Sequence, residues 1–251
     1  MAIDAYLAQH SEDDVPVLRF YQWRPYTISL GYGQKLDDIE IEKCRKDDIH
    51  VVRRPTGGRA VLHAEEVTYS VIVSRASQWF QDGILTMYNF ISRGLVTGLK
   101  LLNIDASLEK RTPGNQRYAV KSLRAVPCFS AAAPYEILYR GKKLVGSAQR
   151  RFDKAILQHG SILVGPFHLK LIDYLAATNP EARERLRKIL DEKTISISQI
   201  LGKPISYEQG VDALKSGFIH EYGITFTTKN FTSQDVSEIN QLKRLYPNLW
   251  R

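Results

Sequence analysis

The chain has 251 residues, 43% of them hydrophobic and 25% charged, with a formal net charge of +8 and two cysteines. That length suits one large globular domain, and its apolar runs fall far short of the roughly 20 residues a membrane helix needs. Cys44 and Cys128 are too few for a disulfide framework or a cysteine-rich zinc site, and the scattered basic residues lack the aromatic interleaving that stacks exposed bases, which disfavours nucleic acid and leaves an acidic protein partner open.

Residues 1–16 hold an acidic cluster without the basic-then-apolar order of a secretory signal, which predicts a cytosolic protein. Ala2 to His10 has helical spacing; Val17 to Trp23 and Tyr26 to Leu30 read as strands, with the Trp-Arg-Pro step as a turn. Asp37 to Asp47 reads as a surface helix. Ile49 to Arg54, the glycine loop Pro55 to Arg59, Ala60 to Leu62 and Val67 to Val73 read as a strand-loop-strand hairpin region. Apolar residues at Ile84, Leu85, Tyr88, Ile91, Leu95, Leu99 and Leu102 give the three-four spacing of an amphipathic helix.

From Leu108 to Pro127 the chain turns basic and polar with little periodicity, and reads as a long exposed loop leading into Cys128. Tyr135 to Tyr139, Lys142 to Val145 and Ala155 to Val164 are predicted strands, with Arg140-Gly141 as a tight turn. The remainder is predicted helical: Phe167 to Ala177, Pro180 to Leu190, Ser198 to Leu201, Tyr207 to Tyr222 and Ser233 to Tyr246. Strands first and helices last predict an α+β fold, with a mostly antiparallel central sheet flanked by helices. We expect one catalytic domain over residues 1–251, in which 194–251 can form a small helical subregion.

Two segments stand out chemically. Arg53-Arg54-Pro55-Thr56-Gly57-Gly58-Arg59-Ala60-Val61-Leu62-His63 sets two glycines among cations, allowing the backbone to approach a ligand closely; it matches neither a dinucleotide fingerprint nor a phosphate loop. Gly141-Lys142-Lys143-Leu144-Val145-Gly146-Ser147-Ala148-Gln149 is followed by Gln158-His159-Gly160-Ser161. Strand alternation places Lys143 with Val145 on one face and Leu144 with Gly146 on the other, so one lysine of the pair can point inward.

These segments, in this order, resemble the biotin/lipoate protein ligase superfamily, which includes lipoate-protein ligases and lipoyl (octanoyl) transferases; the likeness runs from about Arg19 to Val164. The resemblance implies an acyl-chain tunnel lined by Arg54, Thr56, Gly57, Gly58, Arg59, His63, Gly146, Ser147, Ala148, His159 and Gly160. Pro127-Cys128-Phe129 followed by Pro134-Tyr135-Glu136-Ile137 looks like the nucleophile segment of the transferases. On that likeness Cys128 is the nucleophile and Lys143 the cation that favours its thiolate, since a free thiol is mostly protonated at neutral pH. Cys44, in a charged helix outside these motifs, is the lesser nucleophile candidate; His63 and His159 are possible proton carriers, though a histidine beside Gly160 more often serves to shape the pocket.

The activity so implied is octanoyl transfer from acyl carrier protein, through a cysteine thioester, to a lysine of a lipoyl-accepting protein such as the glycine-cleavage H protein or a 2-oxoacid dehydrogenase domain. No cofactor is then needed. Competing readings are a ligase using ATP and Mg and a non-catalytic acyl-binding regulator. The family usually has a strand before the helix resembling Met1 to Leu7, so the chain either lacks that strand or begins at an internal methionine.

Overall fold

The computed structural model describes residues 1–10, 14–110, 135–176 and 179–250. Nine strands form two sheets among these residues. Strands β1 (Val17–Tyr21), β5 (Glu66–Ser74), β6 (Ser107–Lys110), β7 (Tyr135–Tyr139), β8 (Lys142–Arg151) and β9 (Ala155–Leu163) make an antiparallel sheet in the order β1-β5-β9-β8-β7-β6. Strands β2 (Thr27–Leu30), β3 (His50–Arg53) and β4 (Val61–His63) make a smaller sheet in the order β3-β2-β4.

One face of the large sheet is apolar because Val67, Tyr69, Val71 and Val73 alternate along β5 and meet α3 (Ile84–Leu101) and α6 (Tyr207–Tyr222). The buried row Met87, Ile91, Leu95 and Leu99 makes α3 amphipathic; Ile84 and Leu85, at the start of the helix, are exposed. Helices α3 and α6 approach so closely that a Cβ on Gly217 would lie 2.2 Å from the backbone nitrogen of Gly98. The opposite face carries α1 (Ala2–Gln9), whose Ala2, Tyr6, Leu7 and Ala8 pack with Ile72, Leu157 and Ile239 of α7 (Ser233–Leu242).

The small sheet packs against α2 (Ile41–Lys46), the 3-10 segment Pro166–Tyr174 and α4 (Pro180–Lys193). Short α5 (Ile197–Leu201) precedes α6, which opens on a Ser206/Gln209 capping box and stops at left-handed Gly223. No helix among the described residues is long and apolar enough to cross a membrane.

The antiparallel sheet, flanking helices and helical C-terminal portion are as the sequence predicts. Four details differ. The region 49–73 is not a hairpin: β3 and β4 both border β2, β3 in parallel, because a helix-bearing connection returns the chain in the same direction. The helix expected over 37–47 is divided into a 3-10 turn Leu36–Asp38 and α2, and that expected over 167–177 is 3-10. Leu108 to Lys110 belongs to β6, paired with β7, whereas 111–134 lie outside the described residues. Finally, β8 runs on to Arg151, paired throughout with β9 from Val145.

Candidate active site

The two motif segments meet across the gap between the sheets. The loop after β3 is bound into place by Arg54, whose guanidinium donates to the carbonyls of Ser29 at 2.8 Å, Gly57 at 2.8 Å and Arg59 at 2.7 Å. Gly57, Gly58 and Arg59 stay exposed, whereas Arg54 and Thr56 are buried. From β9, His159 meets the Thr56 hydroxyl at 2.6 Å and ties the loop to the large sheet. Burial pushes the His159 imidazole down to about 3, so it is neutral near pH 7 and carries no exchangeable charge there.

His63, at the end of β4, engages both ring nitrogens. Its Nδ1 lies 2.7 Å from the Glu66 carboxylate, which makes Nδ1 the donor, and its Nε2 lies 2.7 Å from the Ser29 hydroxyl. Glu66 also accepts from the hydroxyls of Thr68 and Ser161. Trp23 stacks on His63 with ring centroids 4.7 Å apart and donates its indole N–H to Thr68 at 3.0 Å.

Inside this frame lies a narrow cavity of ≈ 30 Å³, lined by Tyr21, Arg54, Val61, His63, Thr68, Gly146, Ser147, Ala148, His159, Gly160 and Ser161 among others. Many of these residues are polar, yet most of their side-chain donors and acceptors bond within the surrounding wall, Tyr21 to Asp4 and Ser147 with Tyr69 among them, which leaves mostly carbon surface toward the cavity. Gly160 has no room for a side chain, since a Cβ there would lie 2.5 Å from the Gly146 carbonyl oxygen. His63 also borders an open groove of ≈ 820 Å³ lined by Trp23, Arg24, Tyr26, Glu65, Ser198 and Tyr207 among others.

Lys143 is buried on β8 and ion-paired, with Nζ 2.7 Å from Glu136 Oε1 on β7. Its facing corrects simple alternation. Ile137 pairs with Val145 but Leu138 pairs with Lys143, so Leu144 is an extra residue in β8. Leu144 and Val145 therefore both enter the core beneath α3, while Lys143 turns to the face shared with Gly146. The lysine does not itself line the cavity, and stands farther along the same strand.

Cys128 lies outside the described residues. Cys44 is fully buried, and burial raises its thiol to about 12, so it is not a ready thiolate. Glu66, Ser29 and Trp23 are parts of the site that motif reading passes over, and Glu136 falls inside the Pro134 to Ile137 segment without a role assigned to it. The available signal for Glu136 is a carboxylate inside the apolar strand Tyr-Glu-Ile-Leu-Tyr, across a two-residue turn from the lysines. Among the described residues, no group of three His, Cys, Asp or Glu side chains could hold a metal ion.

A family model described as the lipoyl protein ligase A/B catalytic domain matches residues 1–219. The chain belongs to that family. Among its relatives, the octanoyltransferase LipM of Lysinibacillus sphaericus is 37% identical, over 97% of this chain and 89% of its own. The proteins of the same name from Kyrpidia tusciae and Bacillus subtilis are 40% and 36% identical, covering 98% and 96% of this chain and 90% and 88% of theirs. Two solved structures share the fold. A bipartite lipoate protein ligase of Thermoplasma acidophilum superposes with a TM-score of 0.76 at 22% identity, over 96% of this chain and 85% of its own. A lipoate-protein ligase A bound with ATP gives 0.71 at 24% identity, over 96% and 87%.

Proposed function

We infer that the protein is an octanoyltransferase of protein lipoylation. The observation that carries this is the cavity between the two motif segments, most of whose polar groups are satisfied within the wall so that a saturated chain meets mostly carbon, with the buried Lys143 on the same sheet face. The relatives named octanoyltransferase match nearly the whole chain, which supports transfer over ATP-dependent ligation.

In the proposed reaction the Cys128 thiolate attacks the thioester carbonyl of octanoyl-acyl carrier protein. A new C–S bond forms and the carrier leaves as its thiolate. The lysine amine of a lipoyl domain then attacks the acyl-cysteine; an amide C–N bond forms, the C–S bond breaks, and the expelled Cys128 sulfur takes up the proton the amine releases. One thioester replaces another in the first step, so no nucleotide is required. On this reading Lys143 is the cation that favours the Cys128 thiolate and a donor toward the developing oxyanion. A lipoyl domain as acceptor is supported by the Thermoplasma ligase, which is described with its E2 lipoyl domain.

Intact mass after incubation with octanoyl-acyl carrier protein tests the route. An octanoyl adduct that appears on the native protein, is absent from Cys128→Ala and disappears on adding a lipoyl domain is expected. ATP-dependent lipoylation retained by Cys128→Ala would sink the transferase reading.

A further inference from the structure

The Lys143–Glu136 pair stands in an apolar part of the sheet. Its strand neighbours Ile137, Leu138, Leu144 and Val145 are all buried, and Lys143 and Glu136 are 5% and 1% exposed. Stability does not explain such a pair, because taking two charges out of water costs about what their attraction returns, and apolar residues of similar size commonly serve as well. What the pair does provide is placement. The Lys143 carbonyl accepts from the backbone N–H of Ile195 at 3.1 Å, and Lys143 forms a β-bridge with Thr194. Its backbone is thus held between β7 and a segment ahead of α5, and its flexible four-carbon stem is held at the tip by Glu136.

Glu136 reaches the tip because both residues share one face. Ile137 and Tyr139 pack beneath α3, so Glu136 and Leu138 face the other way, and the extra residue Leu144 brings Lys143 to that same side. Regular pairing with Leu144 present would have left the ammonium under α3. We propose that Glu136 is a positioning residue for acyl transfer: through Lys143, it fixes where the ammonium stands on the cavity face. The proposal rests on the reading that transfer uses Lys143 as its cation.

Single-turnover transfer to a lipoyl domain, followed by intact mass so that slow variants remain measurable, tests it alongside steady-state kinetics. Glu136→Gln should lower kcat by about 100-fold, the scale expected when a catalytic group is misplaced by an ångström, with KM for donor and acceptor unchanged. Glu136→Asp should be intermediate, and Glu136→Gln should cost nothing further in a Lys143→Met background. Activity of Glu136→Gln within about twofold of native, or an equal loss in both backgrounds, would overturn the proposal. Full activity of Lys143→Met would instead overturn the reading of Lys143 beneath it. Should Glu136→Gln fail to fold, Glu136→Asp decides: reduced kcat at an unchanged melting temperature supports positioning, and native kcat refutes it.

Discussion

Two buried imidazoles give the protein a built-in acid sensitivity. Burial pushes His159 down to about 3 and His168 to about 4, against an ordinary value of 6.5. Below pH 6.5 the unfolded chain gains protons that the folded chain refuses until those lower values. Stability from this source is therefore complete above that pH and is lost as pH falls toward 4, by about 1.4 kcal/mol per pH unit for each histidine. Urea unfolding from about pH 7 to about pH 5 should show the decline, and His159→Gln or His168→Gln should each remove one histidine's share of the slope. A native protein equally stable across that range would contradict the assignment. His159 was legible because it sits in a short motif with Gly160 and Ser161. The sequence left its role open between proton carrier and pocket wall, because one-dimensional pattern carries no burial, and burial decides whether an imidazole moves protons or fills a wall. The roles of Glu66 and Glu136 escaped for a related reason: a single carboxylate in a strand has no spacing signature, and only tertiary pairing with His63 and Lys143 gives it meaning.

At the scale of elements, the site depends on two loops lying in direct backbone contact. A Cβ on Gly31, just after β2, would stand 1.9 Å from the Gly58 carbonyl oxygen, whereas one on Gly33 meets nothing within 4 Å. Tyr32 N–H also donates to the Thr56 carbonyl at 2.9 Å, closing the seam. Gly31→Ala must therefore push the glycine loop away, at a cost of about 1–3 kcal/mol, and should slow octanoyl-adduct formation. Gly33→Ala should stay within about 0.5 kcal/mol of native and keep its adduct rate. Matching behaviour of the two variants would show that the contact carries no load. Periodicity located β2, β3 and β4 within a residue or two but assigned the wrong neighbours, since pattern fixes which residues extend and not which strand lies beside which. The intervening helical connection was the clue that β2 and β3 run parallel. The facing of Lys143 failed for a different reason: alternation assumes a regular ladder, and a single extra residue at Leu144 reverses it.

For the whole molecule, the C-terminal helices complete the core that carries the motifs. Leu214 and Phe218 of α6 fill the layer beneath β5 and β9, and Ile239 of α7 closes the patch around α1. The motif strands are thus backed on both faces, and charge is left to act at the surface. A net charge of +8 on 251 residues creates a field that draws acidic partners and raises encounter rates, with little effect on the chemical step once a complex has formed. The consequence separates kcat/KM from kcat. As ionic strength rises to physiological levels and the screening length shrinks to about 8 Å, kcat/KM for an acidic carrier-protein donor should fall several-fold while kcat holds. A short octanoyl thioester without the protein carrier should show no such loss, because it has no field to follow. If carrier and small thioester respond to salt alike, steering is not how this molecule finds its donor, and the excess of lysine and arginine serves some other contact.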